Sequence, residues 1–450
     1  MDYFRNIIQK LGIDGALFFT LIYRGLQATG ALFTIVFIAA FLNKEEQGYY
    51  YTFGSILAIQ IFFELGITAI ITQFVAHETA SVSFHNYKMK GNPLASSRLS
   101  SLLRFCINWF IIVCLLLFVT LIIVGFIFFN TFNTSSNINW QFPWVILCFS
   151  TAVNLFYIPL LAFIEGLGYI KIASKIKATQ QFVLILTSIL FLLLGLGLYA
   201  SPIALLVSCA IPPLYILFSK IKLLLKQIWN DLSIYKVNYF KEIFPLQWKV
   251  AISWASGYFI YQLFNPIVFA KDGAEVAGRV GMSLAVINGI LTISLSWMNI
   301  RIPQLSKLIA QRNFTELDIV FRKNFKNANF FSFLGLFISV VFIIILNYFS
   351  FSLGKRFLSV IPFCIMAFCA FINQFIGGLA IYLRCHKKEP LLIYSFVIAI
   401  CTATFFMIVG SSNGLMGIVW SYFFITTFIS LPWVIYIYIT KKKQWHTQLY

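Results

Sequence analysis

Along the 450 residues, long apolar runs alternate with short polar interruptions. Twelve of these runs have the length of a bilayer-crossing helix, about 20 apolar residues. Their limits are 16–41, 50–72, 101–129, 142–164, 178–198, 202–225, 248–270, 280–299, 328–349, 358–382, 391–410 and 414–438. The runs are too long and too uniformly apolar for barrel strands. The pattern predicts an all-α polytopic membrane protein.

The polar positions inside the runs are few, and their spacing is informative. The first run carries one cation, Arg24, and the second one carboxylate, Glu64. A short hinge, 43–48, predicts that these helices are antiparallel. At 1.5 Å per residue each group then sits about 12 Å inside the same membrane face. They are placed to pair. Either they form a structural bridge, or one or both face a polar cavity, because ionisable groups at that depth are costly. Thr20, Arg24 and Gln27 share one helical face, and Gln60, Glu64 and Thr68 share another. Such stripes serve as interhelical hydrogen-bond glue or as cavity lining. In the seventh run, Trp254, Tyr258, Tyr261 and Asn265 share a face, with Gln262 beside it. Aromatic rings with hydrogen-bonding edges suit sugars, and ordinary packing is the alternative. Pro266 predicts a kink or a freed carbonyl. Asn373-Gln374 is a further polar pair within the tenth run.

Composition agrees with the pattern. Hydrophobic residues make up 60% and charged residues 10%, and the mean hydropathy is +0.88. Soluble proteins carry about 25% charged residues. The net charge of +19 is unevenly placed. With a cytoplasmic N-terminus, only Lys44, Lys271, Arg279, Lys355 and Arg356 fall outside, and every other Lys and Arg except Arg24 falls inside. Both termini are therefore expected in the cytoplasm. The basic inner face suits anionic lipid headgroups and requires no nucleic acid. The first fourteen residues are polar and amphipathic, and the run after them is too long for a signal peptide, so it should remain as helix one. Trp140 and Trp144 at the outer loop 130–141, and Trp229 and Trp248 near the inner face, are expected interfacial anchors. Segments 226–247 and 300–327 read as amphipathic surface elements.

Catalytic chemistry is poorly supplied. Eight cysteines form no Cys-x-x-Cys, and four scattered histidines give no metal or triad spacing. Glu64 is the one acid deep in a run, with Glu165 at the end of the fourth. No phosphate-binding Walker loop is present. The reading is of a non-enzyme.

A faint internal repeat relates Gly48 to Gly278 and Gln73 to Gln304, at a spacing near half the chain. It predicts two lobes of six helices, 1–235 and 236–438, followed by a basic tail, 439–450. The second run also carries a signature: a leading helix with an Arg, then Glu46-Gln47-Gly48-Tyr49-Tyr50, then Glu64-Leu65-Gly66 and Gln73-Phe74. With Phe244-Pro245-Leu246-Gln247-Trp248, Ala277-Gly278-Arg279-Val280-Gly281-Met282-Ser283 and Tyr382-Leu383-Arg384, the chain resembles bacterial polysaccharide transporters. These are the Wzx-type lipid-linked oligosaccharide flippases of the multidrug/oligosaccharidyl-lipid/polysaccharide (MOP) exporter superfamily, relatives of the multidrug and toxic compound extrusion (MATE) transporters.

That resemblance implies a V of two lobes around a central cavity, open alternately inward and outward. It implies a bacterial inner-membrane protein flipping polyprenyl-diphosphate-linked oligosaccharide for surface polysaccharide or O-antigen synthesis. Arg24 would meet the diphosphate or a sugar acid. Glu64 would balance Arg24 or bind a coupling proton or sodium ion. The aromatics of helix seven would contact sugar, and the prenyl tail would stay in lipid. Partners would be the lipid-linked glycan, membrane lipids and other polysaccharide-assembly membrane proteins, with no cofactor. The same fold would also serve a cation-coupled exporter of drugs or metabolites. A membrane polymerase or glycosyltransferase is the third reading, against which the short outer loops argue.

Overall fold

The computed structural model describes residues 15–447 apart from 65, 80–81, 86, 133–137, 232–234, 236 and 387. The N-terminal segment, the middle of loop 130–141 and the end of the tail lie outside the described residues. The protein is helical almost throughout. Nine stretches among the described residues are long and apolar enough to cross a membrane. Each of the twelve expected runs overlaps a helix or a broken helix.

Two compact units are formed. One comprises Met1–Phe37, Leu57–Thr131 and Asn139–Trp254, and the other Ile38–Ile56, Phe132–Ile138 and Ala255–Tyr450. This differs from the expected division near 235. The difference has a local cause in the second helix. Its first part, Lys44–Leu57, starts six residues before the apolar run, because Asn43 and Glu46 form a capping box. A 3-10 turn, Ala58–Gln60, and a one-turn helix, Ile61–Glu64, follow. Gly66 then takes a positive φ of 65° before the helix resumes as Ile67–Thr79. The part before this broken stretch packs with the C-terminal unit.

In the N-terminal unit, small residues admit close approach, as membrane bundles require where lipid offers no hydrophobic drive. Gly125 on helix Pro93–Phe132 leaves room for the Trp144 indole, whose Nε1 donates to the Leu121 carbonyl at 3.2 Å. Trp140 and Trp144 are thus buried core residues among Phe126 and Phe129, and the expectation of interfacial anchors fails for both. Buried Trp needs a partner for its N–H, and the Leu121 carbonyl serves Trp144. Trp229 and Trp248 are exposed, as anchors would be. A small hairpin, Val82–His85 with Lys88–Gly91, was not foreseen. Its second strand is gripped by Gln227, which accepts from the Met89 amide and donates to the Met89 carbonyl, both at 2.9 Å. Arg98 bridges Glu78 at 2.8 Å and Glu242 at 2.6 Å. The Arg98 hydrogen bond holds the Glu242 carboxyl below the usual carboxylate range.

Helix Phe244–Tyr261, whose last turns from Ala255 belong to the C-terminal unit, stops where Pro266 demands it, because the proline ring collides with the carbonyl four residues earlier, that of Gln262. The chain restarts at Phe264 and breaks again at Gly273, φ 85°. Gly414, φ 57°, makes the matching break between helices eleven and twelve, and Asp272 Oδ2 accepts from the Leu415 amide there at 2.7 Å. The expected surface helix over 300–327 is instead a short helix, Ile302–Ala310, followed by the start of the long helix Phe314–Tyr348. Arg312 at φ 57° and an Asn313 cap force that turn. Two π turns, Tyr239–Ile243 and Ile425–Ser430, each end two residues before a proline, Pro245 and Pro432. The last helix, Leu431–Thr447, continues through the expected tail. It docks Lys442 on Asp318 at 2.7 Å, and His446 on the Tyr382 hydroxyl at 3.1 Å.

Two of the motifs behind the sequence resemblance, 46–50 and 277–283, act as packing devices. Gln47 donates to the Gly278 carbonyl at 2.8 Å and the Arg356 carbonyl at 3.1 Å. Glu275 joins Lys44 at 2.9 Å and Arg279 at 2.6 Å. Gly281 makes room for Tyr51, and Ser283 accepts from the Leu358 amide at 3.0 Å.

Candidate functional site

A cavity of about 650 Å³ lies within the C-terminal unit. Its walls come from the helices over 44–57, 264–299, 360–385 and 415–424, and from the broken end of helix seven. The break before Pro266 brings Tyr261, Gln262 and Asn265 to this space, and Asn373 and Gln374 face it from helix ten. Asn373 Nδ2 donates to the Tyr422 hydroxyl at 2.9 Å. None of the described lining residues carries a charge.

Three lining amides have no hydrogen-bond partner among the described residues. Gln262 and Asn288 make no side-chain bond, and Gln374 Nε2 is fully buried without one. The Tyr51 hydroxyl is likewise buried and unpartnered. Gln262 is half-buried and Asn288 exposed, but Gln374 Nε2 and the Tyr51 hydroxyl are buried, and leaving a buried polar group unmade costs about 1–3 kcal/mol. Grouped around one cavity, these groups give it the chemistry of a site for an uncharged polar ligand.

Asn265 lines the cavity but acts mainly as a joint. With its amide oxygen toward Thr52, it accepts from the Thr52 amide at 3.0 Å and hydroxyl at 3.2 Å, and donates to the Ala277 carbonyl at 2.7 Å. The helix-seven stripe is therefore divided. Tyr261 reaches the cavity, Tyr258 is 7% exposed with its ring edge-on to Phe259, and Trp254 is 40% exposed and away from the cavity.

The Arg24–Glu64 pair does not form. Arg24 is exposed on helix Gly15–Phe41 and has no ion-pair partner among the described residues. Glu64 accepts instead from the Thr68 hydroxyl at 2.6 Å, one turn on. The breaks at 58–60 and Gly66 defeat the straight-helix count that set the two at one depth. Gln60 is half-buried on the 3-10 turn. Gln27 donates to Tyr23 at 3.1 Å, and Thr20 bonds Ser174 at 2.9 Å. The polar stripe of helix one is thus tied partly to its own helix and partly to helix Ile170–Leu193. Glu165 is paired with Lys177 at 2.7 Å.

Sequence reasoning missed Tyr51, Asn288, Thr292 and Tyr422 as lining residues. Asn288 and Thr292 carried a signal, a polar i, i+4 pair inside an apolar run. Tyr51 and Tyr422 carried none in so aromatic a chain.

No family model matches this sequence, and no curated protein matches it. Solved structures do. An inward-facing multidrug-resistance MATE family transporter of the MOP superfamily superposes with a TM-score of 0.68 at 12% identity, over 94% of this chain and 99% of that one. A MOP superfamily transporter from Pyrococcus furiosus, described as having a binding pocket of reverse polarity, gives 0.58 at 14%, over 94% and 95%. The lipid II flippase MurJ, in an inward closed conformation, gives 0.56 at 16%, over 95% and 87%. At these identities the likeness is one of fold. The chain has the all-α polytopic fold shared by the MATE-like transporters of the MOP superfamily and by MurJ.

Proposed function

We propose that the protein is a transporter that flips polyprenyl-diphosphate-linked oligosaccharide from the cytoplasmic to the outer leaflet of a bacterial inner membrane, for surface polysaccharide or O-antigen assembly. The observation that carries this reading is the cavity lined by free amides and phenols and by no charged group. An exporter of organic cations needs a carboxylate near its ligand, and this cavity offers none. The fold is compatible with both kinds of cargo, since the similar structures include multidrug transporters and a lipid II flippase.

Arg24, exposed and without an ion-pair partner among the described residues, is the cation for the diphosphate. Glu64, half-buried and bonded to Thr68, is the carboxylate available to a coupling proton or sodium ion. The prenyl chain remains in lipid, both termini are cytoplasmic, and the chain works beside other polysaccharide-assembly membrane proteins without being an enzyme itself.

The test follows the cargo in cells. Deleting the gene should strand lipid-linked glycan on the cytoplasmic leaflet, protected from an externally added lectin, and a plasmid copy should restore access. Rhodamine efflux should not change. Dye efflux that depends on the chain while glycan access does not would replace this reading with drug export.

A further inference from the structure

We infer that the cavity of the C-terminal unit selects uncharged sugars bearing clustered oxygen acceptors, neutral hexoses and N-acetylhexosamines, and that Gln374 is the residue that selects them. The inference deepens the transport reading above and rests on it for the identity of the cargo, but its evidence is local.

Gln374 is 4% exposed, in the middle of helix Val360–Cys385, and its Nε2 meets no acceptor among the described residues. Its helix neighbour Asn373 is satisfied by Tyr422, so the two adjacent amides differ in kind. Asn373 holds the wall together, and Gln374, a residue of the same lining, keeps a buried Nε2 whose donors are unused. The Tyr51 hydroxyl supplies another unused donor from helix Lys44–Leu57. Gln262 and Asn288 add amides that both donate and accept.

A ligand that meets these groups must bring oxygen acceptors from several directions. Sugar hydroxyls and the acetamido carbonyl do so without charge. A carboxylate-bearing sugar would be desolvated with no cation in the lining, and an ammonium or rhodamine cation with no anion there. The apolar part of the lining, Leu284, Leu291, Leu295 and Met366 among it, fits the C–H faces of a pyranose. The tyrosine rings at 261 and 422 offer the same.

The role predicts an unusual mutational signature. A structural glutamine replaced by leucine leaves its partners unpaired and destabilises the fold. Gln374 has no partner for Nε2, so Gln374→Leu should melt at or above the wild-type temperature, since an unmet buried donor is removed. Binding should nevertheless fall.

The experiment uses purified full-length protein in detergent and saturation-transfer difference NMR with three probes: methyl N-acetylglucosaminide, methyl glucuronide and rhodamine 6G. The neutral sugar should show transfer that excess unlabelled methyl glucoside competes away, and the other two should not share its site. Gln374→Leu should lower the affinity for the neutral sugar about 5–10-fold, the loss of one well-placed hydrogen bond. Asn288→Ala, at an exposed position, should lower it without touching the core. Equal binding of glucuronide and the neutral sugar, or unchanged affinity in both variants, overturns the inference. If sugar binding behaves as stated but glycan export persists in Gln374→Leu cells, the site stands and the flippase reading fails. If export depends on the chain but no sugar binds, the reverse holds.

Discussion

Gly48 and Gly278 lie against each other although 230 positions separate them, and a Cβ on Gly278 would stand 2.9 Å from the Gly48 amide nitrogen. A Cβ on Gly48 would stand 1.9 Å from the Ala274 carbonyl oxygen. The two glycines that mark the internal repeat are therefore partners in one helix crossing. Gly48→Ala should destabilise by about 1–3 kcal/mol, the usual cost of overpacking, and Gly278→Ala by less. Gly25→Ala, where a Cβ meets nothing within 4 Å, should be neutral or stabilising by up to about 1 kcal/mol. Melting curves in detergent rank the three, and a Gly48→Ala protein that melts with the wild type removes the close approach.

The missing ion pair makes its own prediction. Arg24→Gln and Glu64→Gln should each shift stability by no more than about 0.5 kcal/mol, because neither strips a buried ionic partner. Glu64→Gln keeps an acceptor for the Thr68 hydroxyl. Glycan export should nonetheless fall in Arg24→Gln, and Arg24→Lys should recover only part of it, since lysine keeps the charge and loses the planar fork. A large drop in melting temperature for either single change would restore the structural bridge.

The docked tail should respond to acid. His386 Nδ1 donates to the Tyr382 carbonyl at 3.1 Å, and its buried Nε2 has no acceptor among the described residues. Burial pushes this imidazole below its ordinary value against the upward pull of the Tyr382 carbonyl, and His446 and Lys388 push down with it. The neutral form is thus favoured while Trp445 packs on the ring. Docking should be complete above pH about 6.5, the unperturbed histidine value, and weaken as the pH falls below it. Proteolysis at Lys441–Lys443 should rise between pH 7.5 and 5.5, and His386→Phe should flatten that rise. Equal cleavage across the range would show that the ring does not report on docking.

Topology can be read independently. Reporter fusions at residues 135 and 450 should be active on opposite sides of the membrane, as the distribution of Lys and Arg requires. Activity on the same side would break the even number of crossings.

The fold was legible because bilayer length and helix period act on every residue of a run, so twelve runs could be counted without knowing their neighbours. Breaks were legible only where one residue type forces them. Pro266 announced the end of helix seven, whereas Gly66, Gly273 and Gly414 look like any other glycine until φ is seen. The site was legible in part for the same reason. Tyr261, Gln262, Asn265, Asn373 and Gln374 stood out as polar groups in apolar helices, and all five reach one cavity. Arg24 and Glu64 stood out equally, but their pairing depended on an unbroken second helix. Trp140 and Trp144 misled because a tryptophan beside a loop reads as an anchor, and only the space over Gly125 shows that the Trp144 indole turns inward.

The π turn at Ile425–Ser430 contains one residue more than an α-helix would place there. Above it Tyr422 faces the cavity, and below it Lys442 and His446 face Asp318 and Tyr382. Each residue turns a helix by about 100°. Deleting one residue within this turn would remove the bulge and leave both ends of the helix facing as they do, whereas one residue inserted beyond it would rotate the C-terminal end by about 100° away from Asp318 and leave Tyr422 in place. In genetic terms the helix is written in two reading registers, one for the cavity and one for the tail, and the π turn is the splice that absorbs the extra residue between them.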